Sequence, residues 1–173
     1  KHYNDLGFKV TGVDFSEVAI ELATKLDIDA IVMDVDSGLN FETNEFDIIL
    51  AGDVMEHIFD PIFVMSEFSR VLKPGGSFYA TIPHDLHWKN RIKTMLGTSF
   101  QEGVYKKYGQ FKHHSFFSEN LLRYMCETSS LKIDDMLYLY IKPFIGGKTY
   151  SRNKALRILS TLMIIKAINT KSN

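Results

Sequence analysis

FDIILAGDVMEHIFDPIFVMSEFSRVLKPGGSFYATIP, residues 46–83, carries two apolar runs separated by a polar turn and an amphipathic helix. Phe46–Gly52 is almost continuously apolar, the pattern of a parallel strand covered on both faces. Asp60-Pro61 begins a helix, with Pro at a tolerated first-turn position. Phe63, Val64, Phe68, Val71 and Leu72 then recur at helical spacing. Lys73-Pro74-Gly75-Gly76 is expected to end the helix abruptly, and Ser77–Pro83 to form the next strand.

The same alternation extends in both directions. Lys1–Leu6 is expected to be the last turn of a helix stopped at Gly7. Phe8–Asp14 is expected as a strand and Ser16 as the cap of a helix over Glu17–Leu26, with Val18, Ala19, Leu22, Ala23 and Leu26 on one face. Asp29–Asp34 forms a further strand. Downstream, Ser118 caps a helix to about Glu127, Leu131–Ile141 is a long strand, Arg152–Leu159 is helical and Leu162–Ile168 is a final strand. Strands alternating with helices predict an α/β fold, a doubly wound, mostly parallel Rossmann-like sheet with helices on both faces. One domain is expected over residues 1–173, with 84–117 as a substrate-side insertion or lid.

Composition narrows the function. One cysteine, Cys126, excludes an internal disulfide framework and fits a reducing, cytoplasmic setting. The most apolar stretch, 156–168, is interrupted by Ser160, Thr161 and Lys166 and is too short for a transmembrane segment. Residues 1–60 hold fourteen acids and three bases, whereas 142–173 hold seven bases and no acid. That asymmetry can steer an anionic partner, or simply be a solvated basic end. No basic stripe interleaved with aromatics suggests nucleic acid.

In an open α/β sheet, ligands bind beyond the carboxyl ends of the strands. Asp14 and Asp34 stand at two such ends. Each carboxylate can accept hydrogen bonds from a ribose or an exocyclic amine, or can cap a helix or turn. A nicotinamide-dependent Rossmann oxidoreductase also places an acid at the end of its second strand.

Residues 46–83, with GVDFS (12–16) and MDVDSGL (33–39) before them, resemble the class I S-adenosylmethionine-dependent methyltransferases. The likeness is to the small-molecule branch with D-V-x-E-H after the fourth strand and V-L-K-P-G-G before the fifth. It continues through NRIKTMLG and HHSFFS. The resemblance implies S-adenosylmethionine or S-adenosylhomocysteine as cofactor. Asp14, with Phe15 beside it, would bind the ribose. Asp34 and the Val35 backbone would hold the adenine, and Ala51, Gly52 and Asp53 would line the methionine end. It also implies a strand and a glycine-rich loop upstream of Lys1. A binding module or non-catalytic fragment of the same ancestry is the competing reading.

Methyl transfer chiefly requires donor and acceptor to be held close and in line, and a hydroxyl acceptor gains from a base. His57 follows the strand Phe46–Gly52, and His84, His87, His113 and His114 fall within 84–117, amid Trp88, Tyr105, Tyr108, Phe111, Phe116 and Phe117. His57 and His113 are the candidate catalytic groups. The segment carries six bases and two acids, which suits an anionic, glycosidic or aromatic small-molecule acceptor. Asp53, Glu56 and His57 also resemble the E-x-x-E-H cluster with which some quinone-pathway relatives hold a divalent metal. With Asp in the first place, no metal site is expected.

Overall fold

The structure is a computed structural model that describes residues 2–84, 87–99, 102, 105, 106, 113, 115–141, 148–154 and 159–172. The chain forms two compact units, Lys1–Asn40 and Phe41–Asn173.

In the first unit, α1 (His2–Asp5) ends at Gly7, whose φ of 88° is the left-handed turn expected there. Strand β1 (Thr11–Asp14) pairs in parallel with β2 (Asp29–Val32), placing Asp14 opposite Val32. Between them runs α2 (Glu17–Thr24), capped by the Ser16 hydroxyl, which accepts from the Ala19 amide. These elements are shorter than expected because turns take their ends: Asp27 adopts φ 57°, and Asp34 caps a 3-10 turn at Val35–Ser37. The expected apolar face of α2 exists in sequence but is not buried: Val18, Leu22 and Leu26 are exposed. Two four-residue strands and two short helices give this unit too little apolar area for a buried layer.

The second unit contains a five-stranded sheet in the order β3-β4-β7-β5-β6. Its strands are β3 (Phe46–Gly52), β4 (Leu72–Pro83), β5 (Leu131–Ile141), β6 (Lys148–Ser151) and β7 (Ser160–Asn169). The helices are α3 (Pro61–Val71), α4 (Trp88–Met95) and α5 (Glu119–Thr128). β3 and β4 are parallel, as the residue 46–83 pattern predicts, but β4–β7, β7–β5 and β5–β6 are antiparallel. The Rossmann-like α/β expectation holds, with a mixed sheet: β7 returns between β4 and β5 in the opposite sense.

Several local differences have physical causes. Lys73–Gly76 belongs to the start of β4 instead of forming a separate turn. The Lys73 ammonium holds the Asp47 carboxylate at 2.8 Å, and Gly76 lies so close that an added Cβ would be 2.9 Å from the Lys73 carbonyl oxygen. β3 is not covered on both faces, since Ile48 and Leu50 are exposed. The expected helix at Arg152–Leu159 lies largely outside the described residues. Strand β6, unforeseen because four residues carry too short a pattern, adds to β5 at the sheet edge.

The core sits between the sheet and two helices. Asp60 caps α3 by accepting from the Phe63 amide at 3.0 Å, with Pro61 at the first helical position. Phe68 of α3 meets Phe78 of β4 with ring centroids 5.3 Å apart. Val64, Met65, Ile82, Leu122, Met163 and Ile165 are all buried. Each such side chain contributes about 1.5–3 kcal/mol relative to an exposed position.

Candidate functional site

Each strand-end acid is held by its own backbone. In the first unit, Asp14 Oδ1 accepts from the Ser16 amide at 2.8 Å, and its main-chain oxygen accepts from the Met33 amide. That turn stands the carboxylate at the end of β1, with Phe15 exposed beside it. Asp34 is a cap as well as a candidate ligand: Oδ1 accepts from the Asp36 amide and Oδ2 from the Ser37 hydroxyl, both at 3.1 Å. Val35 opens the 3-10 turn that this cap makes.

In the second unit, Ala51 is buried and Gly52 exposed at the end of β3. Among the described residues a Cβ on Gly52 would meet only the Thr81 hydroxyl, at 3.7 Å, so their packing does not demand a glycine there. Asp53 follows with φ 53°, a left-handed conformation that costs a non-glycine residue energy. Two bonds to one side chain fix it: its amide donates to Thr81 Oγ1 and its Oδ1 accepts from that hydroxyl, both at 2.9 Å.

After Asp53 the chain makes a 3-10 turn, Met55–His57, with Met55 and Glu56 buried and His57 exposed. The segment before α5 is tied to this turn. The Ser115 amide donates to the Glu56 carbonyl at 3.2 Å, and the Ser115 hydroxyl donates to the Ile58 carbonyl at 3.1 Å. These bonds bring His113 to His57, edge to face, with ring centroids 5.2 Å apart. One ligand atom each of Glu56, His57 and His113 lies within 4.8 Å of the others. The Glu56 side chain is 2% exposed and its Oε2 has no hydrogen-bond partner among the described residues.

The electrostatics follow from that placement. Burial raises the Glu56 pKa, and the neighbouring Asp53 charge adds to it, while a backbone hydrogen bond and His57 oppose the shift. Burial lowers the His113 pKa, His57 lowers it further and Asp53 opposes. His113 is therefore a neutral imidazole at neutral pH, able to take a proton.

The structure thus brings Asp53, Glu56, His57 and His113 to one end of one unit, and Asp14, Phe15, Asp34 and Val35 to strand ends of the other. The other histidines are elsewhere. His84 is buried, with Nδ1 2.7 Å from the Ser160 hydroxyl, and locks β4 to β7. His87 precedes α4, where burial and then Lys89 and Lys93 lower its pKa. His114 lies outside the described residues. Sequence spacing groups Glu56 with Asp53, whereas the folded cluster replaces Asp53, held by Thr81, with His113.

A family profile described as a methyltransferase domain matches residues 1–80. Among curated proteins, the chain is similar to a ubiquinone biosynthesis O-methyltransferase of Coxiella burnetii, 27% identical over 161 residues. That alignment covers 89% of this chain and 67% of the relative. The human mitochondrial ubiquinone biosynthesis O-methyltransferase is 30% identical over 118 residues, covering 66% of this chain and 31% of that protein. A SAM-dependent methyltransferase structure from Thermotoga maritima superposes with a TM-score of 0.74 at 19% identity, over 95% of this chain and 75% of that one. One from Methanosarcina mazei gives 0.70 at 19% identity, over 99% and 86%. The two structures share the fold, and the sequence relatives remove the nicotinamide reading. The profile match and the sequence relatives support a class I S-adenosylmethionine-dependent methyltransferase, which implies S-adenosylmethionine and S-adenosylhomocysteine as the cofactor pair.

Proposed function

We propose that the protein methylates a hydroxyl oxygen of a small-molecule acceptor, with His113 as general base and His57 beside it. The observation that carries this reading is the pairing of the two imidazoles just beyond β3, with the His113 pKa lowered mainly by burial. The relatives named as O-methyltransferases support oxygen as the atom methylated.

Bound S-adenosylmethionine would supply a methyl carbon activated by its sulfonium, which the acceptor oxygen displaces in line. Asp14 would accept from the ribose hydroxyls through its carboxylate, held in place by the Ser16 amide. Asp34 and the Val35 backbone would meet the adenine, and Phe15 would flank it. The bare Gly52, where an added Cβ would touch Thr81 Oγ1 at 3.7 Å, would admit the methionine end beside Ala51 and Asp53. His113 would take the hydroxyl proton as the new C–O bond forms, and His57 would orient that ring. The two units acting as one domain, with 84–117 as the acceptor wall, belong to the same proposal. So does an anionic, aromatic or glycosidic acceptor. A cytoplasmic, reducing location is supported by Cys126, a buried thiol pushed up by burial to about 12 and hence unreactive.

Incubation with methyl-labelled cofactor and parallel panels of phenols, sugars, amines and carboxylates tests this. Label is expected on hydroxyl acceptors; label on amines alone would overturn the choice of oxygen.

One observation favours a second reading. Glu56, whose Oε2 has no hydrogen-bond partner among the described residues, places a carboxylate oxygen within 4.8 Å of ring nitrogens of His57 and His113, a donor set suited to a borderline divalent cation such as zinc. Glu56→Gln separates the two. As a base pair without metal, the site keeps activity within about threefold, because the amide keeps the size and shape of the carboxyl in its buried place. As a metal site, it loses the ion, and chelation abolishes wild-type turnover.

A further inference from the structure

Helix α4 has no buried residue, although its sequence, WKNRIKTM, is strongly two-sided. At 3.6 residues per turn, Trp88, Ile92 and Met95, continued by Leu96, form one stripe. Their exposures are 42%, 47%, 86% and 76%. Lys89 and Lys93 border the stripe on one side and Arg91 on the other. Asn90 and Thr94 lie opposite, where the Thr94 hydroxyl donates to the Asn90 carbonyl at 3.0 Å. The helix contains no acid. The Lys89 ammonium sits 5.7 Å from the Trp88 ring centroid, at the boundary of charge and apolar surface.

We propose that α4 is a membrane-surface helix that seats the protein on an anionic bilayer, with Trp88, Ile92, Met95 and Leu96 inserted at the headgroup level and Lys89, Arg91 and Lys93 meeting lipid phosphates. Nothing in this depends on the methyl-transfer proposal. Charge chooses the occupant. Bases flanking an apolar stripe complement a sheet of phosphates, and their long stems let the charged ends rise to the headgroups while the stripe enters the acyl boundary. A second copy packed through the same face would set Lys and Arg against Lys and Arg, which is unfavourable. A helix of this length lies on a membrane and does not cross it; no described helix is long and apolar enough to span one.

The protein carries its own reporter, because Trp88 is its sole tryptophan. The experiment titrates the whole protein with vesicles of phosphatidylcholine alone and with added phosphatidylglycerol, reading Trp88 emission and co-sedimentation. Two variants accompany it: Met95→Glu with Leu96→Glu, and Lys89, Arg91 and Lys93 all changed to Gln. All five positions lie outside the proposed catalytic and cofactor groups, so S-adenosylhomocysteine binding serves as the control for folding. The expected result is a blue shift and pelleting with anionic vesicles only, weakened by salt. Loss of the three bases should reduce that affinity about a hundredfold, at roughly a factor of five per base. The double Glu variant should abolish the blue shift. Emission unchanged by anionic vesicles would overturn the proposal. Equal binding to neutral vesicles would overturn it too, as would a shift that follows self-association without lipid.

Discussion

Asp14 stands at the end of β1 with one carboxylate oxygen engaged by the Ser16 amide, so its orientation is set before any ligand arrives. Charge-assisted hydrogen bonds contribute about 1.5–3 kcal/mol each. Asp14→Ala is therefore expected to weaken S-adenosylhomocysteine binding at least tenfold by calorimetry, with unchanged far-UV circular dichroism. Asp14→Asn, which keeps an acceptor for Ser16, should fall between the two; wild-type affinity in both variants would remove Asp14 from the site. Such strand-end acids were legible in the sequence because strand, acid and N-cap follow one another without a gap. The meeting of His57 with His113 was not, although each was a candidate. Fifty-six positions separate them, and the bonds from Ser115 to the Glu56 and Ile58 carbonyls that join them leave no sequence pattern. Nor does sequence disclose that Glu56 is buried with an unpartnered oxygen, since D-x-x-E-H at a loop suggests three exposed ligands.

At the scale of elements, β4 shows how a familiar turn sequence can belong to a strand. Gly76 approaches the Lys73 and Asp47 carbonyl oxygens so closely that a Cβ would stand 2.9 and 3.1 Å from them. Backbone atoms cannot yield as a flexible side chain can. Gly76→Ala is expected to destabilise the protein by about 1–3 kcal/mol in urea unfolding, through forced displacement of β3 from β4. An unchanged midpoint would show that the strands separate freely there. The strong periodicities were legible: β3, β5 and α3 lie where alternation and caps put them. Helix α4 escaped because its apolar positions, Trp88, Ile92 and Met95, are diluted by five polar residues in eight. None of its residues is buried, so the fold required no broader stripe of it.

Across the whole molecule, the C-terminal strand holds the larger unit together. Asn169 is buried at the end of β7, and its Nδ2 donates to the carbonyls of Ser69, Leu72 and Lys73, while Oδ1 accepts from the Ser69 hydroxyl. These bonds fasten β7 to the junction of α3 and β4, about a hundred residues earlier. Asn169→Ala leaves several buried groups unpaired and is expected to cost about 3 kcal/mol, lowering Tm by about 10 °C in calorimetry. A shift under about 2 °C would mean that water replaces the side chain there. The α/β class was legible from alternation alone. The antiparallel return of β7 was not, because strand direction depends on where the chain re-enters the sheet. The central claim concerns the far end of β3, where His113 is proposed to take the acceptor's proton. The direct test is the pH dependence of single-turnover methyl transfer to a hydroxyl acceptor, in wild type and His113→Gln, with S-adenosylhomocysteine affinity measured in both. Burial lowers the His113 pKa, so the proton-accepting form dominates above a midpoint below the ordinary 6.5 and disappears as the pH falls through it. The predicted result is a wild-type rate that climbs to a plateau before neutrality. His113→Gln should be about a hundredfold slower, lack that step and bind cofactor normally. A variant with the wild-type rate and profile would contradict the account.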